Sequence, residues 1–279
     1  MMIRHILRRL LPYPARLELT RVKRLPMWWI ETPTIARTRL STSEQSQFGF
    51  SLACHSSPLE RTPGEVVSRL QQGKEQNVGL AADCLDGLLL TPNQVFSYHH
   101  AVGRPSRLRG FRLGLELHQG EPAQGIGGGC CQVSNTLYIL ALRAGMKIVE
   151  RHRHGLDLFP DNQRTVPFGC GATVFYNYAD LRFENPLPQP VLLRMRIDQR
   201  SLVGELWTTE DPGWTSEVYE VDHRFFREGD TWMRENRIRR RFVRADGSVL
   251  LDQEIAHNCG RVLYEPTDEF GEEQCSEPQ

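Results

Sequence analysis

Four closely spaced glycines, Gly125, Gly127, Gly128 and Gly129, run straight into an almost wholly apolar segment that stops at Gly145. Glycine allows positive φ and close backbone approach, which suits the mouth of a helix. From Val133, the residues Leu137, Leu140, Ala141 and Ala144 recur at helical spacing, which marks one face as core. Tyr138, Ile139 and Leu142 make the opposite side apolar too, so the helix is expected to be buried nearly all round. Arg143 and Gly145 supply its stop signals. Cys130 and Cys131 therefore fall at the start of a central buried helix, where unpaired N–H groups and the helix dipole favour thiolate over thiol.

Around this centre the chain divides by composition. Residues 1–56 read as an N-terminal extension with weak periodicity. The plainer reading of their start is an amphipathic helix ended by Pro12 and Pro14. The minority reading is a weak membrane-surface contact through Arg4, Arg8, Arg9, Trp28 and Trp29. Residues 57–209 form the main domain, 210–264 a β-rich appendage and 265–279 an acidic tail. Thr62-Pro63-Gly64-Glu65 looks like a helix opening, with Val66, Val67 and Leu70 on its buried side. Asn77 to Asp86 reads as a second helix ended by Gly87. Leu88–Leu90 and Val95–Tyr98 read as short strands, with His99 and His100 entering a loop as structural histidines. Met146 to His154 alternates like a strand leaving the core. Val166, Ala172 to Tyr176 and Leu181 to Phe183 read as further strands, and Val191 to Ile197 with Leu202 to Trp207 as a hairpin. Beyond Asp211-Pro212-Gly213 a three-stranded meander is expected, with turns at Glu228-Gly229-Asp230 and Asp246-Gly247. Its Arg237, Arg239, Arg240, Arg241 and Arg244 read as a solvated charged face. The fold expected is α+β: a central buried helix carrying a cysteine at its N-terminus, packed on a mainly antiparallel sheet built largely from residues 146–207, followed by the meander.

Lys plus Arg and Asp plus Glu are balanced at 34 each, so net charge gives no case for a nucleic-acid partner. The seven cysteines are odd in number, scattered and without a C-x-x-C pair. Neither a disulfide framework nor a structural zinc site is expected, and no metal or cofactor is called for. The absence of a secretory leader pattern or an apolar span of about 20 residues predicts a cytoplasmic protein.

The chemistry legible here is that of a thiol with a histidine base. His152 and His154 lie on the segment after the helix, and the residues alone do not choose between them. A strand of about ten residues at ~3.3 Å each is long enough to return to the helix start. Backbone N–H groups of the glycine turn are candidates for holding an oxyanion. Asp157, Asn177 and Asp180 are candidates for orienting the base.

Several stretches resemble the VanW family, named from an accessory protein of B-type vancomycin resistance clusters. They are NVGLAADCLDG from Asn77, the Pro-x-x-x-Phe-Ser run ending at Phe96-Ser97, Gly110-Phe111, and Gly127 to Tyr138 (GGGCCQVSNTLY). Glu150-Arg151-His152-Arg153-His154 and Ala172-Thr173-Val174 follow in order. The resemblance implies that Cys131 is the nucleophile position and His154 the second histidine of the family pattern. Gly127, Gly128, Gly129, Gln132 and Ser134 are the corresponding oxyanion and loop residues. It also implies a link to glycopeptide resistance or peptidoglycan metabolism, with a peptidoglycan-related peptide or precursor as partner. The activity expected is that of a cysteine acyl transferase of the L,D-transpeptidase kind or a peptidase. The alternative is a non-catalytic accessory protein of the same pathway. Many members carry Asp where this chain has Gly171, and a mature cell wall lies outside the cytoplasm. Both points favour the alternative.

Overall fold

The computed structural model describes residues 34–59, 68–118, 121–153, 155–157 and 166–266, together with 18, 19, 22, 23, 26 and 30. The helix opening at Thr62, the acidic tail from residue 267 and His154 lie outside the described residues, as does most of the N-terminal segment. The chain is α+β, with mostly antiparallel sheets, few helices and a C-terminal meander. It divides into two compact units: residues 1–116, 123–152 and 171–212 in the first, and 117–122, 153–170 and 213–279 in the second.

The first unit contains β1 (Phe50–Pro58), α1 (Ser68–Asp83), β2 (Leu88–Leu90), β3 (Val95–Ser97) and α2 (Tyr98–Val102). The pair β4 (Leu113–His118) and β5 (Glu121–Ile126), of which Leu117, His118, Glu121 and Pro122 group with the second unit, leads to α3 (Cys130–Arg143) and β6 (Lys147–Glu150). Strands β8 (Arg182–Glu184), β9 (Val191–Asp198) and β10 (Ser201–Thr208) complete it. One sheet runs β1-β10-β9-β2 and a second β3-β8-β6. Helix α3 packs on β1, β10, β6 and α1. Val133, Leu137 and Leu140 are fully buried, as the helical spacing requires. Gly204 lets β10 approach α3, because a Cβ there would lie 2.7 Å from Leu140 Cδ1. Phe96 and Phe183 stack at 4.5 Å within the second sheet. No helix among the described residues is long and apolar enough to cross a membrane.

Several elements differ from the sequence expectation. Residues 50–56 are not an extension: β1 pairs with β10 along its length, and Ile35 and Arg39 bridge to Val95 and Leu88. The main sheets thus draw strands from well outside 146–207. Instead of a helix opening at Asn77, one continuous helix runs from Ser68 to Asp83 through Gly73. That glycine is required by packing rather than by a break, since a Cβ there would collide with the Leu113 carbonyl. His99 and His100 sit in α2, whose first turn is capped by Ser97 accepting from the His100 N–H. The strand expected over 146–154 ends at Glu150, and Ala172 to Val174 is not part of a strand.

The second unit is not the meander alone. Strands β11 (Thr215–Glu228), β12 (Thr231–Val243) and β13 (Val249–Val262) pair antiparallel. The short β7 (Leu156–Asp157) adds parallel to the end of β13. The arginines of β12 meet carboxylates on neighbouring strands: Arg237 with Glu254, Arg239 with Asp252 and Arg241 with Glu217. Arg240 is instead buried, over the Phe242 ring.

Candidate functional site

The glycine loop before α3 is held by close contact between two backbones. A Cβ on Gly114 would lie 2.6 Å from the Gly128 carbonyl oxygen, and one on Gly128 would collide with the Gly114 backbone. Gly127 and Gly129 take φ of 86° and 103°, conformations that L side chains rarely adopt. Asn77 of α1, fully buried, donates from Nδ2 to the carbonyls of Arg112 (3.0 Å) and Gly128 (2.9 Å) and accepts from the Arg112 N–H (2.8 Å). Within the loop, the N–H of Gly127 goes to Arg112, that of Gly128 to Gly125 and that of Cys130 to Gly127. The N–H of Gln132 goes to Gly129. Among the described residues, no acceptor takes the N–H of Gly129 or of Cys131. Of the oxyanion donors expected in this turn, those of Gly128 and Cys130 are therefore already committed.

The two cysteines face different surroundings. Cys130 is buried beside the Tyr98 phenol, and burial pushes its thiol up to about 12 against the opposing effect of that phenol. Cys131 is half-buried, and the backbone N–H of Val174 donates to its sulfur. Desolvation outweighs that donor, and the Glu116 carboxylate adds to it, so the Cys131 thiol is raised rather than lowered. The thiolate expected at a helix start does not stand in the resting protein, because one N–H and a partial dipole do not offset burial. Glu116 reaches this position because Gly125 has no side chain: a Cβ there would lie 2.6 Å from both carboxylate oxygens.

The second turn of α3 also clamps the segment carrying Val174. Ser134 Oγ donates to the Ala172 carbonyl (2.6 Å), and Asn135 Oδ1 accepts from the Ala172 N–H (2.7 Å). Arg151 Nε donates to the Gly171 carbonyl (2.9 Å), with its guanidinium 4.7 Å from the Tyr138 ring centroid. Gln132 Nε2 is spent on the end of β1, reaching Ser57 Oγ (2.9 Å) and the Pro58 carbonyl (2.7 Å). Gln132 and Ser134 thus hold backbone segments in place.

Main chain brings His152 to this segment, for its carbonyl accepts from the Thr173 N–H at 2.7 Å. Its ring turns to Glu150, with Nε2 2.8 Å from Oε1, and Glu150 Oε1 also accepts from the Asp180 N–H at 3.2 Å. No described hydrogen bond joins the His152 ring to the Cys131 sulfur. Asp180 is buried and accepts from Ser97 Oγ (2.6 Å), the His99 N–H (3.1 Å) and the Leu181 N–H (2.9 Å). Burial, with Glu150 as a lesser contribution, pushes its carboxyl up to about 7. Of the other candidates for the orienting group, Asn177 donates its backbone N–H to His99 Nδ1, and Asp157 lies in the second unit with Arg234 and Tyr264. The residue that holds the His152 ring is Glu150, which sequence reasoning passed over although it opens the Glu-Arg-His run. Asn77, Ser97 and Glu116 were passed over as well. The first two stand inside motif stretches, and nothing in the sequence marks Glu116.

Comparison with known proteins agrees with this geometry in extent. The profile of the family described as VanW like protein matches residues 73–207, the stretch holding Asn77, the glycine loop, α3 and the 171–174 segment. An uncharacterized Bacillus subtilis protein, YoaR, is 34% identical over 142 residues, which is 50% of this chain and 44% of that protein. The Vancomycin B-type resistance protein VanW of Enterococcus faecalis is 28% identical over 142 residues, 51% of this chain and 52% of that one. The matched region spans about half the length of these curated relatives. No solved structure matches.

Proposed function

The chain belongs to the VanW family, and from that premise we propose that it serves glycopeptide resistance or cell-wall metabolism by acyl transfer from a peptidoglycan-related peptide through Cys131. The relative named as a vancomycin B-type resistance protein supports the pathway. The observation that carries the chemistry is the Cys131 sulfur at the start of a buried helix, half-buried and receiving the Val174 N–H.

A raised thiol requires its proton to leave as the sulfur attacks. His152, with its ring held by Glu150, or His154 takes that proton. The sulfur bonds to the peptide carbonyl carbon, and the oxyanion so formed accepts from the Gly129 and Cys131 N–H groups. Collapse breaks the C–N bond, and the departing amine takes the proton back from the imidazole. An amine acceptor, or water, then attacks the thioester and releases Cys131 as thiol. The test is mass spectrometry of the full chain incubated with a stem tetrapeptide. The expected result is a covalent adduct retained by Cys130→Ser and lost in Cys131→Ser. Absence of any adduct in the parent chain, or its persistence in Cys131→Ser, overturns the proposal.

The accessory reading draws on one position. Gly171 offers no carboxylate where many family members have Asp, and its carbonyl is already taken by Arg151. On that reading the glycine loop shapes a binding surface and Cys131 stays a thiol.

A further inference from the structure

The loop from Gly103 to Arg112, Gly-Arg-Pro-Ser-Arg-Leu-Arg-Gly-Phe-Arg, has no part in the chemistry above. It carries four arginines, yet it is a built structure rather than a loose basic tract. Glycines with φ of 73° and 86° stand at Gly103 and Gly110. Between them Arg107–Arg109 forms a turn of 3-10 helix, with the N–H groups of Arg109 and Phe111 donating to the Ser106 carbonyl at 3.1 Å each. Phe111 is fully buried beneath it. Arg109 folds back to donate to the Arg104 carbonyl at 3.0 Å, lying against Gly103.

This frame leaves Leu108 at the apex with 101% relative exposure. A single exposed leucine is ordinary, but here an apex leucine is flanked by cations. Arg104, Arg107 and Arg112 are exposed. Arg104 meets Glu18 at 3.5 Å, while among the described residues no acceptor meets the side chain of Arg107 or Arg112. Leu113, just after the loop, is a second exposed leucine at 40%.

We infer that this loop docks the protein on an anionic lipid surface, with Leu108 entering the boundary between headgroups and acyl chains and Arg107 and Arg112 meeting lipid phosphates. The cations alone fit any polyanion; the rigidly presented leucine is what selects a bilayer, since a soluble polyanion offers no apolar phase. Pro105 of the same loop lies against Gly127, where a Cβ would come within 2.6 Å. A docked loop therefore holds the glycine loop close to the membrane surface. The inference is independent of the acyl-transfer reading.

The test is co-sedimentation of the full chain with phosphatidylcholine vesicles, with and without phosphatidylglycerol. The parent is expected to bind only the anionic vesicles. Arg107→Ala and Arg112→Ala should each weaken binding by roughly five-fold, and Leu108→Ser by roughly ten-fold. All three positions are exposed, so unchanged thermal melts should accompany the loss. Heparin is the soluble control: Leu108→Ser should leave any heparin binding unchanged. Three results overturn the inference: no vesicle binding by the parent, variants that bind vesicles as the parent does (which assigns binding to the arginines of the N-terminal segment), or arginine effects on vesicles that Leu108→Ser does not share.

Discussion

Asn77 donates from Nδ2 to the Gly128 carbonyl at 2.9 Å across 51 residues of sequence, so helix α1 fixes the loop from which the cysteine helix starts. Its second donor bond and its acceptor bond both go to Arg112, which leaves little of its hydrogen-bonding capacity unused. Asn77→Ala leaves the Gly128 carbonyl and the Arg112 N–H without this partner, while the Arg112 carbonyl keeps the Gly127 N–H, at a cost of about 2 kcal/mol. Asn77→Asp keeps the acceptor but turns a carboxylate toward both carbonyls, and it is expected to destabilise more. Urea denaturation of the two variants checks the order.

The thiols give a second prediction. With Cys131 raised by burial and by Glu116, alkylation near pH 6 is expected to be slow, and the rate should climb as pH rises toward the thiol's elevated value. Glu116→Gln removes the carboxylate that opposes the thiolate, so its rate profile should move to lower pH. Cys130, pushed up to about 12, should stay unlabelled throughout. Residue-resolved iodoacetamide labelling measures this. A Glu116→Gln profile identical to the parent's removes Glu116 from the site.

Asp180 ties stability to pH. Its carboxyl stands at about 7 in the folded chain against an ordinary 3.8, so between these values the folded protein holds a proton that the unfolded chain has released. The group's contribution is complete below about pH 4, is lost as pH rises through about 7 at up to ~1.4 kcal/mol per unit, and is level above that. Facing it are Ser97 and His99 from the β3–α2 junction, Glu150 from β6 and Arg182 from β8. Asp180→Asn should flatten the slope of denaturation midpoint against pH across that window. An unchanged slope assigns it to other groups.

What the sequence made legible was periodic or punctuated. The β9–β10 hairpin lies where alternation put it, turning through Gln199 and Arg200 with φ of 44° and 64°. The meander turns at Gly229 and Gly247, both at positive φ. What stayed hidden was set by partners far along the chain. Residues 50–56 have little pattern of their own, and it is pairing with β10 that makes them a strand. Gly73 falls between the two helices read from the sequence, and the Leu113 backbone lying over it explains the missing side chain. At the site, the motif marked Cys131, Gly128 and His152 by residue type. Of the groups acting on them, Val174 and Glu150 stand inside motif stretches but act through contacts that residue type does not announce, and nothing in the sequence marks Glu116.

The last prediction concerns the segment 153–170, which groups with the meander although the residues on either side of it, to His152 and from Gly171, belong to the first unit. The Arg234 guanidinium is 1% exposed, 3.2 Å from Asp157 Oδ2, with the Phe168 and Phe225 ring centroids at 4.9 and 5.1 Å. Tyr264 donates to the same Asp157 oxygen at 3.0 Å. Asn236 donates to the Phe168 carbonyl at 2.9 Å, and Gly169 lies against Asn258. Held by a buried ion pair, this segment and the meander are expected to unfold together. Truncation after Pro212 removes Arg234 and β13 together, so residues 155–157 and 166–170 are expected to lose their hydrogen-exchange protection. Arg234→Met alone takes the guanidinium away from the buried Asp157 carboxylate, at about 3–5 kcal/mol. Arg234→Met combined with Asp157→Leu removes both charges and should recover most of that loss. Denaturation of the single and double variants decides it, for a double variant no more stable than the single one means that Arg234 acts through packing on the two rings and not through Asp157.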